Sequence, residues 1–270
     1  MSKGIDFENR LLLDNLHRQF AGPFSISEAQ RVINLDIAQV RRLLAHFVSQ
    51  GWLVRIKQGS YRTVPLGATS PSQWREDPWL VAAHIFAPCY LAGWTACEHW
   101  GLTEQLFRDV VVVTSRRVRK KREIIQDTRY LVQVRKARSF FGLRKVWRNQ
   151  QAVFASDPSR TMVDILDCPA MAGGIRATAD ALRNYFTSEH RNDSLLADYA
   201  AKLGNRVVFK RLGYFTEMMK PDAGALLKTC RENMSRGVSL LDPSGSKEGN
   251  IVKRWRLRIN AVTSIEENAL

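Results

Sequence analysis

One stripe of residues restricts the fold of this chain more than any other feature. Val40, Leu43, Leu44, Phe47 and Val48 fall at i, i+3, i+4, i+7 and i+8, the spacing of a helix with one buried side. Asp36 and Gln39 offer a capping box at its start, and Gly51 stops it. Upstream, Leu12, Leu13, Leu16 and Phe20 recur at helical spacing until Gly22-Pro23. Ser27-Glu28-Ala29-Gln30 fits the capping box of a short second helix that ends near Ile33, with Asn34-Leu35 as the turn. Downstream, Trp52–Lys57 and Tyr61–Val64 are strand-like runs joined by Gln58-Gly59-Ser60. Three helices, the second one short, and then a hairpin make the order of a winged helix-turn-helix. That unit is expected over residues 1–65.

Residues 66–78 (LGATSPSQWREDP) have no periodicity and read as a linker. Residues 79–270 read as a mixed α+β domain, divided near residue 155 into a strand-rich and a helical part. Trp79–Phe86 and Gly93–Trp100 suit helices, and Asp109–Thr114 suits a buried strand. Tyr130–Val134, Leu143–Trp147 and Ala152–Ala155 are further strand candidates. Asp157 with Pro158 opens a helix, and four more helical segments follow, beginning near residues 177, 194, 207 and 223. Val238–Leu241 and Ile251–Ile259 return to strand patterning, and Lys253–Arg258 alternates basic and apolar residues like a strand with one basic face.

Charge narrows the range of partners. The chain carries 41 Lys and Arg against 26 Asp and Glu, a formal net charge of +15. The excess peaks in residues 66–150, with fifteen basic residues against seven acidic ones. Such a balance favours a polyanion, most simply nucleic acid. Disorder of the whole chain is excluded by 7 Trp, 12 Phe and 6 Tyr, which need surface to bury. The first residues have no signal-peptide pattern and no apolar run suits a membrane span, so a cytoplasmic protein without a membrane partner is expected.

On the helix that follows Asp36, the exposed side carries Gln39, Arg42 and His46 on one flank and Arg41 on the other. Arg can bond guanine O6 and N7 in the major groove, and Gln can bond adenine. Arg55, Lys57 and Arg62 in the hairpin are placed to grip phosphates. Arg116, Arg117, Arg119, Lys120, Lys121 and Arg122 put six positive charges into seven residues. This run cannot pack apolar surface, so it is expected as a solvated loop against a phosphate backbone, or simply as solvated charge. Arg135, Lys136, Arg138, Arg144, Lys145 and Arg148 follow it in sequence.

Catalytic signals are weak. None of the four Cys forms a C-x-x-C pair or takes zinc-finger spacing with His, and the phosphate-loop, H-E-x-x-H and G-x-S-x-G motifs are missing. Glu217-Met218-Met219-Lys220 lacks a placed partner carboxylate. No catalytic residue, metal or cofactor is therefore expected.

Three blocks carry a family resemblance. Tyr90-Leu91-Ala92-Gly93-Trp94-Thr95-Ala96-Cys97-Glu98-His99-Trp100-Gly101-Leu102-Thr103 resembles the Y-[IL]-[SA]-G-W-[ST]-A-x(3)-[HW]-G-L-T block of AbiEi-type antitoxins. Ser156-Asp157-Pro158-Ser159-Arg160-Thr161-Met162-Val163-Asp164, with Pro169 and Gly173-Gly174 after it, is similar to that family's S-D-P-E-R-T-L-L-D…P…G-G segment, with Ser159 where Glu is usual. Lys210-Arg211-Leu212-Gly213-Tyr214-Phe215-Thr216-Glu217 resembles its [KR]-R-L-G-Y-[LF]-x-E motif. Together with the N-terminal unit the resemblance spans most of residues 10–220, and the last fifty residues match none of its blocks.

The resemblance implies a transcriptional autoregulator of a phage-defence toxin–antitoxin operon, whose winged helix binds inverted repeats in its own promoter as double-stranded DNA. It implies that the second domain counters a nucleotidyltransferase-like toxin, with direct contact left open. Two other readings stand beside it: a stand-alone DNA-binding repressor, and a nucleic-acid-processing enzyme using Glu217 or Asp164. Each block also has a core-packing account, with Arg160 and Asp164 paired at i, i+4 on one helix.

Overall fold

A computed structural model describes residues 6–65, 67–68, 70, 73–219 and 222–262. The chain is α+β. Leu66, Thr69, Pro71 and Ser72 of the expected linker, and Lys220 of the Glu217–Lys220 segment, lie outside the described residues. Among the described residues no helix is long and apolar enough to cross a membrane.

The N-terminal unit runs α1 (Phe7–Gln19), β1 (Phe24–Ser25), α2 (Ile26–Ile33), α3 (Ile37–Ser49), β2 (Leu53–Lys57) and β3 (Ser60–Thr63). The strands form an antiparallel sheet in the order β1-β3-β2. Leu16, Phe24, Val40, Leu44 and Phe47 are its fully buried core, so the stripe that defines α3 faces inward. Asp36 caps α3, accepting from the backbone N–H of Ala38 and Gln39 at 2.8 and 2.9 Å, while Gln39 Oε1 accepts from the Asp36 N–H. Asn34 makes the turn before it in the left-handed region, with φ of 56°.

The cap of α2 is two residues earlier than the sequence indicates. Ser25, not Ser27, is the N-cap: its Oγ accepts from the Glu28 N–H at 3.2 Å, and Glu28 Oε2 accepts from the Ser25 N–H at 2.7 Å. Pairing of Ser25 with Ser60 holds Ser25 extended at the helix entrance. The Glu28 carboxylate also suits the positive end of the helix better than the Gln30 amide.

Beyond α4 (Pro78–Ile85) lies a six-stranded mixed sheet. It contains β4 (Cys89–Leu91), β5 (Val110–Thr114), β6 (Arg122–Ile125), β7 (Thr128–Val134), β8 (Leu143–Arg148) and β9 (Gln151–Ser156), in the order β6-β7-β5-β4-β9-β8. Two strands escape the sequence reading. β4 is three residues long, too short to show alternation, and β6 begins inside the basic run.

After α5 (Gly93–His99), the helices α6 (Pro158–Asp167), α7 (Ile175–Thr187), α8 (Asp193–Leu203), α9 (Val207–Met219) and α10 (Gly224–Asn233) gather on one side of the sheet. Tyr90, Val111 and Val113 from that face share a buried cluster with Met162, Leu166, Leu212 and Phe215. One core therefore spans residue 155, and the strand-rich and helical parts are layers of one unit rather than two. On the opposite face Leu91, Val112 and Val153 pack with Trp79 and Leu80 of α4.

The C-terminal strands are β10 (Ser239–Leu240), β11 (Asn250–Val252) and β12 (Leu257–Ile259). The single strand expected over Ile251–Ile259 is a hairpin, and the expected basic face at Lys253–Arg258 does not form. Residues 253–256 turn instead, and Trp255 is fully buried. It fits only because position 213 on α9 is glycine, where a Cβ would come 2.1 Å from the indole. The Trp255 Nε1 donates to Glu217 Oε2 at 2.8 Å. Burying an indole outweighs the alternation that suggested a strand.

The N-terminal unit is packed against the sheet. Ile56 of β2 belongs to the same buried cluster as Trp79, Val112 and Val153. Lys57 pairs with Glu123 of β6 at 2.6 Å, and Arg62 pairs with Glu76 at 2.5 Å. The end of the expected linker is thus pinned: Glu76 is 4% exposed and its N–H donates to Gln126 Oε1.

Candidate nucleic-acid interface

α3 presents Gln39, Arg41, Arg42 and His46 to solvent, since Val40, Leu44 and Phe47 occupy its buried side. Gln39 uses its amide oxygen on the Asp36 N–H, which leaves its NH2 as the free end. His46 stands edge-on to Trp52, with ring centroids 5.9 Å apart. Arg41 and Arg42 are exposed donors on an open helix face, the chemistry that reads base edges or phosphates.

The hairpin residues divide. Arg55 is exposed. The Arg62 guanidinium serves Glu76, the Phe20 carbonyl at 3.1 Å and Thr63 Oγ1 at 2.8 Å. Those acceptors hold Arg62 within the fold, an engagement that its position in the sequence does not show. Lys57 is half-buried and shared with Glu123, so its charge is partly neutralised.

The basic run leaves β5 at Thr114, whose hydroxyl donates to the Phe86 carbonyl at 2.7 Å and accepts from the Arg116 N–H at 3.0 Å. Val118 then tucks against the cluster that holds Ile56 and Trp79. This corrects the expectation that the run packs no apolar surface. With Val118 inserted, Arg116, Arg117, Arg119, Lys120, Lys121 and Arg122 splay outward and are all exposed.

A cleft lined by Lys57, Arg116, Arg117, Arg119 and Lys120, with Glu123 as its acid, joins the hairpin tip to this loop. A neighbouring cleft adds Arg31 of α2, Gln58 and His84, with Glu28 as its acid. Burial lowers the His84 pKa, against the raising pull of Glu28, so its imidazole favours the neutral form. Arg31 and Gln58 escape the sequence reading because their neighbour Arg116 is about sixty residues or more away in the chain. No local pattern encodes that approach.

The second basic group divides between the end of β7 and β8. β8 is the opposite edge of the sheet from β6, five strand spacings away, or roughly 24 Å. Arg135 is paired with Asp167, Arg144 lies over Trp100 with its guanidinium 5.7 Å from the ring centroid, and Arg148 lies 4.4 Å from that of Trp79. Arg135 lies beside the start of the basic run, its N–H donating to the Thr114 carbonyl at 2.9 Å, whereas Arg144, Lys145 and Arg148 on β8 stand apart from residues 116–122.

The three blocks of the second unit are built as packing. Arg160 and Asp164 are both 0% exposed and 3.0 Å apart, and the Tyr90 hydroxyl accepts from Arg160 and donates to Asp164, each at 3.1 Å. Arg211 is buried and donates to the carbonyls of Leu166, Leu240 and Leu241, tying α6 and α9 to the C-terminal sheet. Burial pushes the Cys89, Cys97 and Cys230 thiols up to about 12, far from a nucleophilic thiolate. Among the described residues, no group of three or more His, Cys, Asp or Glu stands close enough to hold a metal ion. No protein-family model matches the chain, and no curated protein matches it significantly.

Proposed function

We propose that residues 1–65 are a winged helix-turn-helix that binds double-stranded DNA, with α3 as the reading helix. We further propose that the chain is a cytoplasmic antitoxin and autorepressor of the AbiEi type. The observation that carries the DNA reading is the open face of α3, where Gln39, Arg41, Arg42 and His46 stand exposed behind a capped N-terminus. The order of helices and hairpin supports it, as does the cleft of Lys57 and Arg116–Lys120 beside the hairpin tip. In this reading the cleft grips phosphate on either sequence, and α3 supplies the preference. The antitoxin assignment rests on the three sequence blocks, and the expected partner is a nucleotidyltransferase-like toxin encoded by the adjacent gene.

A gel-shift titration at matched salt tests the first part. The protein is expected to prefer its own upstream region over unrelated DNA. Equal affinity for both would overturn autoregulation, because phosphate contacts alone give no preference. Co-expression with the neighbouring gene tests the second part, and growth arrest that this chain does not relieve would overturn it.

A further inference from the structure

The helices over the sheet cover its centre and stop short of one edge. On the face that carries Tyr90 and Val113, the β8–β9 hairpin is uncovered at Trp147 and Phe154, while its turn lies against Gly22 of the N-terminal unit. Trp147 is 70% exposed and Phe154 is 43% exposed. The register pairs Lys145 with Phe154 and Trp147 with Ala152, so all four side chains share this face. Trp147 and Phe154 are diagonal neighbours, with Cβ atoms about 7 Å apart. Ala152 is too small to cover the indole, and Lys145 stands exposed directly across from Phe154.

Two large rings left in water on a hairpin are unusual, and their electrostatic setting indicates the occupant. β8 and β9 carry three basic residues and no Asp or Glu; Lys145 shares the face of the rings, and Arg144 and Arg148 stand on the other, over Trp100 and Trp79. A second copy of the same patch would bring like charges together, and an apolar peptide gains nothing from them. A single strand of nucleic acid offers what the patch lacks: flat apolar base faces for the rings and phosphates for the lysine. A duplex does not, because its base faces are already stacked inside.

We propose that the open face of the β8–β9 hairpin is a stacking platform for single-stranded nucleic acid, with bases on Trp147 and Phe154 and a phosphate held by Lys145. The platform lies on the sheet edge opposite β6 and is independent of the duplex reading of α3. Its chemistry is common to RNA and single-stranded DNA.

Fluorescence anisotropy with the full chain and labelled twelve-nucleotide oligo(U) and oligo(dU) tests it, with the upstream duplex as a control. Trp147→Ala is expected to weaken oligonucleotide binding about tenfold and leave duplex affinity unchanged. Trp147→Phe should retain most of the affinity, and Lys145→Ala should shallow the salt dependence by about one unit of slope. Arg42→Ala should do the reverse, losing duplex preference and keeping oligonucleotide binding. Tighter binding of oligo(U) identifies an RNA platform, and tighter binding of oligo(dU) a DNA one. The proposal is overturned if Trp147→Ala leaves oligonucleotide affinity at the wild-type value. It is equally overturned if Trp147→Ala weakens oligonucleotide and duplex together. Conversion of a dimer to a monomer by Trp147→Ala, with oligonucleotide affinity intact, would make the face an interface between copies instead.

Discussion

Arg62 and Glu76 meet across 2.5 Å, and both side chains are largely withdrawn from water. The pair fastens the hairpin of the N-terminal unit to the segment that leads into α4.

Removing either partner leaves the other as an uncompensated buried charge. Arg62→Ala should therefore lower folding stability by on the order of 3 kcal/mol. Its effect on DNA binding at a temperature where the variant is folded should be small, with an unchanged salt slope. Thermal melting followed by salt-dependent titration checks both halves. A normal melting temperature with a shallower slope would return Arg62 to the DNA interface.

Arg42 stands on the open face of α3, where a side chain can be truncated without opening the core. Arg42→Ala should cost about 1–3 kcal/mol against the upstream region and reduce discrimination against random DNA. Separating DNA binding from toxin protection by deleting residues 1–65 is a poor test, since that deletion uncovers the partners of Ile56 and strands Glu76. The double change Arg41→Ala, Arg42→Ala keeps the packing. It should lose operator binding and preserve growth in a co-expression assay.

Lys120 and Lys121 project from a loop anchored by Val118, outside α3. Replacing both by Ala should weaken binding to every duplex sequence and lower the salt slope by about two, one for each lost phosphate contact. Titrations at several salt concentrations on operator and random DNA decide this. A change confined to the operator would move base reading to this loop.

Asp164 tests whether the block at Ser156–Asp164 acts in chemistry or in packing. Asp164→Ala leaves the Arg160 guanidinium, 0% exposed, without its carboxylate, and should destabilise the fold by roughly 3–5 kcal/mol. Denaturant unfolding measures it. A nuclease-like reading requires the opposite, a stable variant that has lost a metal-dependent activity.

Much of the N-terminal unit was legible because its signals are local. The spacing of Val40, Leu44 and Phe47 defines the buried side of α3, and a buried side leaves Arg41 and Arg42 on the other. Asp36 and Gln39 cap that helix within three residues of each other. Asp109–Thr114 and Asp157-Pro158 likewise announce a buried strand and a helix start over short windows. What depended on partners far along the chain was decided only by the tertiary structure. Ser25 became the cap of α2 because Ser60 holds it extended. Arg62 and Lys57 are engaged by Glu76 and Glu123, and residues 253–256 turned so that Trp255 fills the space over Gly213. Trp147 and Phe154 read as ordinary strand residues in sequence, and only the reach of the helices across the sheet left them in water. Periodicity shows which side of an element is apolar, whereas ion pairs, close approaches and open faces depend on which other segment arrives there.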